Sequence, residues 1–413
     1  MSDVRMKGFA RRSTVAQALA WLDSHLRPLP EENVPLAQAA GRVLSRPIVS
    51  DVNVPGFARA MMDGYAIRAS DVQGAGPYSR LTLRVIGCCM PGRPFAGTVQ
   101  SGTAVRIMTG APLPAGADAV LPAELTEGSG EQVQAVGDVG PGKHVGNIGE
   151  DIVAGQQVLP AGRMLRPQDV GVLSSIGVAE VPVVRCARVR IVITGNELLP
   201  AGARPEGYRI VDANGPMLQA LVARDGGVPE LIGPLPDQPE IILDAMRGPA
   251  DIVLVSGGSS VGEEDCAPLL VRQHGQLAIH GIAMRPSSPT GMGLLDGRLV
   301  LLLPGNPVSC LCAYDFFAGR AIRGLGGRNT DWPYRRVRLP LARKIVSAIG
   351  STDYLRVRLL DGCVQPLAVS GASILSSTTR ADGFVIVPDD CEGFPPGAEV
   401  EVFLYDDLQA GRL

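Results

Sequence analysis

The sequence of 413 residues predicts a multidomain α/β plus β protein organised around a doubly wound parallel sheet. Length is the first reason, because a chain this long exceeds what one hydrophobic core usually serves and calls for roughly two to four domains. The second is a repeated succession of apolar strand, loop and helix that begins near Arg188. The third is composition: 51 Gly, 34 Pro and few aromatics favour tight turns and short strands elsewhere in the chain over a helical bundle.

The first element opens at Thr14, where Thr14-x-x-Gln17 can form a capping box and Val15, Leu19, Leu22 and Leu26 recur at helical spacing until Pro28. Between Ile48 and Lys143, apolar runs such as 81–86 and 117–121 are split by Gly and Pro, the mark of a β-rich module with exposed loops. The α/β pattern follows, with strands at 189–193, 228–232, 252–256 and 299–303. Helices are predicted at 216–224, 239–246, 267–274 and from Val308 towards Ile322. Near-continuous apolar strands alternating with helices mean a parallel sheet covered on both faces. After Pro333 the alternating segments 337–339, 355–359, 384–387 and 399–403 suggest a last, small β domain.

The charge balance, 38 basic against 41 acidic residues for a net charge of -3, argues against a nucleic-acid or acidic-membrane surface and for a small-molecule partner. Residues 1–12 carry charge without the apolar stretch and cleavage site of a secretory signal, and no run of about 18 apolar residues follows. The eight cysteines are scattered and include no CxxC pair, while Cys310 and Cys312, two apart on a predicted helix, point to different faces. These features read as a cytoplasmic protein with reduced thiols.

Ligands of open parallel sheets sit beyond the carboxyl ends of the strands, and three segments occupy that position. Thr194-Gly195-Asn196-Glu197 follows the first strand and presents a carboxylate. Ser256-Gly257-Gly258 opens a stretch running through Ser260 and Gly262 to Asp265, whose glycines and hydroxyls can turn backbone N–H groups towards an anion. Pro304-Gly305-Asn306-Pro307 is a rigid turn after the fourth strand. Singly, each reads first as a structural turn, and Glu197 and Asp265 as solvated or capping charges; on one rim, the three describe a site. Carboxylates beside an anion-binding loop need a cation between them, so Mg²⁺ held by Glu197 and Asp265 and bridging to phosphate is the natural reading. Two further segments, Met62-Asp63-Gly64-Tyr65-Ala66 and 106–114 with Thr109, set a polar side chain beside a turn glycine and by themselves read as turns.

These segments, together with Gly149-Glu150-Asp151-Ile152, occur in the order and approximate spacing of the molybdopterin molybdenumtransferases, and the sequence resembles that family over nearly its whole length. The resemblance implies an enzyme of the last step of molybdenum cofactor biosynthesis, which takes adenylyl-molybdopterin and molybdate with Mg²⁺ and releases molybdenum cofactor and AMP. It implies an elongated homodimer whose subunits have a split N-terminal linking domain (1–47 and 144–185), an inserted β-rich domain (48–143), an α/β molybdopterin-binding domain (186–329) and a small C-terminal β barrel (330–413). In such enzymes the cleft is shared between the third and fourth domains of one subunit and the second domain of the other. By motif match, Asp63, Thr109, Asp151, Glu197 and Asp265 would be catalytic, with Glu197 and Asp265 on the metal. Ser256, Gly257, Gly258, Ser260, Gly262, Arg285, Ser288, Pro304, Pro307 and Ser373 would contact the substrate. Protein partners would be a molybdopterin adenylyltransferase or the recipient molybdoenzymes, with neither nucleic acid nor membrane.

Departures from the family pattern carry their own expectations. The Lys-Pro-Gly-Lys-Pro stretch of relatives reads Arg285-Pro286-Ser287-Ser288-Pro289 here. The first cation survives as arginine, whose planar fork suits oxyanions, and loss of the second weakens anion binding. Gly146-Asn147-Ile148 replaces a basic residue ahead of Gly149, a serine of the last domain falls on Ala372 beside Ser373, and Asn196 stands where many relatives carry Asp. Two other readings follow: a paralogue that binds the pterin or a partner without turnover, and another user of the same α/β domain, such as a molybdopterin adenylyltransferase or a nucleotide pyrophosphatase. The module bearing Asp63 and Thr109 counts against the latter.

Overall fold

The computed structural model describes residues 12–128, 130–258, 266–368 and 371–406. The chain divides into two compact units, one taking in Met1–Asn33, Gly41–Ser45 and Pro182–Leu413, the other Val34–Ala40 and Arg46–Val181.

The first unit opens with helix α1 (Val15–Ser24). Its capping box is complete: Thr14 Oγ1 accepts from the Gln17 N–H at 3.1 Å, and Gln17 Oε1 accepts from the Thr14 N–H at 3.0 Å. The sheet of this unit contains β1 (Arg188–Thr194), β2 (Val228–Leu235), β3 (Ile252–Ser256), β4 (Gly275–His280), β5 (Gly291–Leu295) and β6 (Arg298–Leu303), in the spatial order β2-β1-β3-β6-β5-β4. The four strands expected from the sequence are mutually parallel. Beyond them β5 pairs antiparallel with β6, and the edge strand β4 pairs antiparallel with β5. The β5–β6 link is the dipeptide Asp296-Gly297, with φ of 49° and 77°, a two-residue hairpin turn whose twist suits the strands it joins.

Side-chain alternation explains why helices cover both faces. Val189, Ile191, Ile193, Leu254, Leu301 and Leu303 face one core, where Val15, Ala18 and Leu22 of α1 meet Leu218 and Val222 of α2 (Asn214–Arg224). Val192, Val253, Val255, Val300 and Leu302 face the other, against Ile242 and Met246 of α3 (Pro239–Arg247) and Leu270 and Val271 of α4 (Ala267–His274). A strand with both faces covered has little room for polar residues, which is why β3 and β6 read as near-continuous apolar runs, whereas β1 and β2 admit the ion pair Arg190–Glu230.

After β6 the chain forms α5 (Pro307–Ala313), a π-helical turn (Tyr314–Ala318) and α6 (Gly319–Leu325). A second sheet follows, with Thr352–Leu360 pairing Gly383–Val387, which in turn pairs Glu399–Leu404, and with Arg335–Pro340 on its far side. Its junction with the helices is aromatic: Phe384 stacks on Tyr354 and on Phe403 at 4.2 and 5.0 Å between ring centres, and Trp332 meets Phe316, Phe384 and Phe403 edge-on. Beside this stack lies a buried polar network. Arg323 donates to Asp225 at 2.7 Å, and Tyr314 Oη donates to the same carboxylate at 2.9 Å. Arg224 reaches both Asp225 and Asp315, and Tyr334 Oη donates to Asp315 at 2.9 Å. Both acids are at most 1% exposed, so their pairing is what makes their burial tolerable.

The second unit holds a six-stranded sheet in the order Ala119–Pro122, Gly64–Ile67, Thr103–Ile107, Leu81–Cys89, Gln132–Ala135, Thr126–Glu127. It is sandwiched between two cores, one containing Tyr65, Ile67, Leu83 and Leu121, the other Ala66, Val105, Ile107 and Val120. Gly64 allows its strand to lie against the next, since a Cβ there would sit 2.0 Å from the Leu121 carbonyl oxygen.

Burial pushes the Asp315 carboxyl up to about 6, against the pull of Arg224 and the Tyr334 hydroxyl. An unfolded aspartate titrates near ~3.9, so between these values the folded chain holds a proton that the unfolded chain lacks. The resulting stability is complete below about pH 4 and is lost as pH rises through about 6. Urea unfolding of the wild type and Asp315→Asn should show the substitution costing about 2 kcal/mol less at about pH 7 than at about pH 4.5. A cost that grows with pH would contradict this assignment.

Candidate active site

Three neighbouring parallel strands of the first unit end level, with Ile193 paired to Ser256 and Ser256 to Leu303. Each leaves the sheet through a glycine-containing turn. In the turn after β1 the Leu198 N–H donates to the Gly195 carbonyl at 3.1 Å, and Glu197 is left exposed. In the turn after β3, Gly257 and Gly258 have φ of +101° and +54°, and a Cβ on Gly257 would lie 2.0 Å from the Thr194 carbonyl oxygen. Only glycine lets the exit of β3 pass so close to the end of β1.

These exits surround a cavity of about 540 Å³. It is lined by Thr194 and Glu197, by Ser256, Gly257 and Gly258, and by Gly305 and Pro307. Ser373 contributes from the C-terminal region, where the Val308 N–H donates to the Ala372 carbonyl at 2.9 Å. Two further stretches join the lining, Ile210 to Asn214 and Asp237, and neither stands out in the sequence. The available signal was Asp212-Ala213-Asn214-Gly215 directly ahead of a helix, a capping pattern: Asp212 Oδ1 accepts from the Gly215 N–H at 2.9 Å.

Among the residues singled out from the sequence, Glu197, Ser256, Gly257, Gly258, Pro307 and Ser373 thus share one cavity. Pro304 is buried in the turn behind it. Ser260, Gly262 and Asp265 lie outside the described residues. Asp63, Thr109 and Asp151 belong to the other unit.

The lining is acidic, with Glu197, Asp212 and Asp237 and no Lys, Arg or His among the described residues. Asp237 is held by Asn196 in a reciprocal pair, Asn196 N–H to Asp237 Oδ2 at 3.0 Å and Asp237 N–H to Asn196 Oδ1 at 3.2 Å. The Glu197 carboxylate has no partner among the described residues. Hard oxygen donors suit Mg²⁺, which usually takes one or two carboxylates and keeps water and phosphate oxygens as its other ligands. No three His, Cys, Asp or Glu among the described residues converge into a metal-holding group.

Asn214 ties the walls together. Its Nδ2 donates to Ser256 Oγ at 2.9 Å and to the Gly305 carbonyl at 2.8 Å. Its Oδ1, like Thr194 Oγ1, is buried without a hydrogen-bond partner, a state that costs about 1–3 kcal/mol for each such group. Beneath Ser256, burial pushes the Cys310 thiol up to about 12, so this cysteine is a neutral packing group.

Arg285 and Ser288 stand apart from the cavity lining. The Arg285 guanidinium forks onto Asp353, with Nε to Oδ1 at 2.7 Å and Nη2 to Oδ2 at 2.5 Å, an ion pair that raises its already high pKa. Ser347 Oγ donates to the same carboxylate at 2.7 Å. Ser287 takes φ 90°, buried, with its hydroxyl donating to the Ser309 carbonyl at 2.5 Å, and Ser288 Oγ is buried without a partner.

In the second unit, Asp63 Oδ1 accepts from both the backbone N–H and the hydroxyl of Thr109 at 2.7 Å. The backbone donor, then the hydroxyl, holds this exposed carboxyl below the usual carboxylate range. Asp151 is exposed, and its N–H donates to the Val54 carbonyl. Glu150 beside it is gripped by Arg59 at 2.7 Å and by the Asn147 N–H at 3.1 Å. The cation next to the Gly-Glu-Asp turn therefore comes from residue 59.

Comparison with known proteins is consistent along the chain. Residues 13–177 match the MoeA N-terminal region (domain I and II), residues 190–323 a probable molybdopterin binding domain, and residues 338–405 the MoeA C-terminal region (domain IV). Molybdopterin molybdenumtransferase 2 of Mycobacterium tuberculosis is 34% identical over 385 residues, covering 90% of this chain and 94% of its own. The molybdopterin molybdenumtransferase of Haemophilus influenzae is 31% identical over 390 residues, covering 92% and 95%. A solved structure of the molybdopterin biosynthesis MoeA protein from Pyrococcus horikosii superposes with a TM-score of 0.83 at 30% identity, over 96% of this chain and 100% of that one.

A Gly257→Ala substitution should be poorly tolerated, because φ of +101° is strained for alanine and the new methyl meets the Thr194 carbonyl oxygen. We expect a loss of at least about 1–3 kcal/mol in chemical denaturation, whereas Gly41→Ala, at φ +77° with open space around it, should lose only the lower part of that range.

Proposed function

Because the chain belongs to the molybdopterin molybdenumtransferase family and is a transferase of molybdenum cofactor biosynthesis, we propose that it inserts molybdenum into molybdopterin, taking adenylyl-molybdopterin and molybdate and releasing molybdenum cofactor and AMP. The observation that carries this reading is the acidic cavity beyond β1, β3 and β6, where carboxylates stand beside bare backbone. Glu197, without a partner among the described residues and lining that cavity, would hold Mg²⁺ together with Asp265. When bound, the ion supplies positive charge to the phosphoanhydride and to the phosphate that leaves.

The chain's own residues would do the rest. Gly257 and Gly258 present backbone without side chains, so a phosphate can approach the β3 exit closely. Asn214 holds Ser256 and the Gly305 carbonyl in place and keeps the cavity preorganised, so little reorganisation is needed when charge develops. Ser373, reaching in from the C-terminal region, would screen one side from water. Water cleaves the phosphoanhydride to free AMP, and the two dithiolene sulfurs then take molybdenum from molybdate, whose displaced oxo ligands leave as water.

Asp63, Thr109 and Asp151 are proposed as further catalytic residues, on the family motifs they match. The four-domain division at 1–47 with 144–185, 48–143, 186–329 and 330–413, assembly as a homodimer in the cytoplasm, and contact with a molybdopterin adenylyltransferase or recipient molybdoenzymes belong to the same proposal. No described helix is long and apolar enough to cross a membrane.

The test is AMP release from adenylyl-molybdopterin with Mg²⁺, with and without molybdate, for the wild type and Glu197→Ala. Release should require molybdate and fall about 10²–10³-fold in the variant, the usual weight of an electrostatic group at a reacting phosphate. Pterin binding without AMP release would replace this reading by that of a cofactor-binding paralogue.

A further inference from the structure

Asn214 lines the cavity and carries an unpaired hydrogen-bond acceptor whose identity the structure determines. An asparagine amide could in principle be turned either way, but here the Gly305 carbonyl can only accept, so the atom facing it at 2.8 Å has to be Nδ2. The second hydrogen of Nδ2 goes to Ser256 Oγ at 2.9 Å. Both donors are therefore committed to the protein, and Oδ1 is left as an acceptor with no partner on a side chain only 7% exposed. Thr194, 2% exposed at the end of β1, lines the same cavity and likewise leaves its Oγ1 unpaired.

Two unpaired groups lining one pocket are unfavourable until something pairs them. The neighbouring lining says what kind of group that is. Both unpaired groups are acceptors, and Glu197, Asp212 and Asp237 add further acceptors to the same lining, so the group that satisfies them is an N–H donor. The substrate proposed above, on which this inference rests, carries such donors on its rings as exocyclic amino groups.

We propose that the two groups left unpaired, Asn214 Oδ1 and Thr194 Oγ1, accept hydrogen bonds from the amino group of a substrate ring, and that this contact sets which end of the substrate enters the cavity. Asn214 is then a specificity-determining residue as well as the clamp between two loops. The amino group can belong to the pterin or to the purine, and the probes separate the two. Pterin is compared with lumazine, which has oxygen in place of the 2-amino group, and AMP with IMP, which has oxygen in place of the 6-amino group.

Dissociation constants measured by calorimetry should show the wild type binding the amino member of one pair about tenfold more tightly than the oxo member, the weight of one buried hydrogen bond. Asn214→Ala and Thr194→Val should each bring that ratio to within about twofold. The valine variant is the control for folding, since it removes no hydrogen bond present in the free protein and keeps the side-chain shape; if Asn214→Ala fails to fold, Thr194→Val alone decides. No amino preference in either pair, or a preference that survives in the folded variants, overturns the proposal. Wild-type AMP release measured beside it separates the two readings: release without amino preference defeats only the ring-reading role, and amino preference without release defeats only the transferase reaction.

Discussion

The level parallel register of β1, β3 and β6 is the constraint from which the site follows. Because Ile193, Ser256 and Leu303 lie side by side, the residues after them must leave the sheet at the same height. Three exits crowded into one place cannot all carry side chains, and Gly257 shows the consequence, with only its hydrogen fitting beneath the Thr194 carbonyl. The cavity is what remains above those exits. Its polarity comes from the same geometry, since backbone and short polar groups at strand ends lose their ladder partners and must find others. Asn214 supplies two of those partners at once and is left with an acceptor of its own.

A second constraint decides where the C-terminal β region sits. Asp225, at the end of α2, and Asp315, in the π-helical turn, are both withdrawn from water, and two arginines and three tyrosines meet them. Tyr334 belongs to the segment leading into the second sheet, so the network spans the junction. Tyr354 and Tyr405 continue it, their hydroxyls 2.6 Å apart. Removing Asp225 would strand the buried Arg323, whereas replacing the whole set with apolar residues need not destabilise the fold. What such a network enforces is one alignment of its parts. That alignment carries Ala372 to the first turn of α5 and Ser373 to the edge of the cavity.

How much of this could be read in advance depended on the range of the signal. The α1 capping box and the four parallel strands were legible because local hydrogen bonding and two-sided burial each leave an unmistakable sequence pattern. The β5–β6 hairpin was announced by Asp296-Gly297 but lay within a region read for helices and parallel strands. Asp237 and Asn214 were not singled out because their roles depend on partners far away in sequence, Asn196 for one and Ser256 and Gly305 for the other. Arg59 escaped for the same reason, since it meets Glu150 across the second unit. Motif spacing singled out the turns, and only coordinates could say which atoms in them were already spoken for.

Arg285 makes the point about charge. From sequence it is the surviving cation of a two-lysine stretch and a natural ligand for an oxyanion. In the folded chain its fork is matched to Asp353, a carboxylate 1% exposed that also accepts from Ser347. An anion arriving there would have to compete with a buried, bidentate partner, and separating that pair would leave Asp353 charged and desolvated. The cavity lining, for its part, offers carboxylates and backbone but no described cation. A phosphate-bearing substrate must therefore bring positive charge with it or bind through backbone donors, and both routes favour the glycine exit of β3 over the arginine at residue 285.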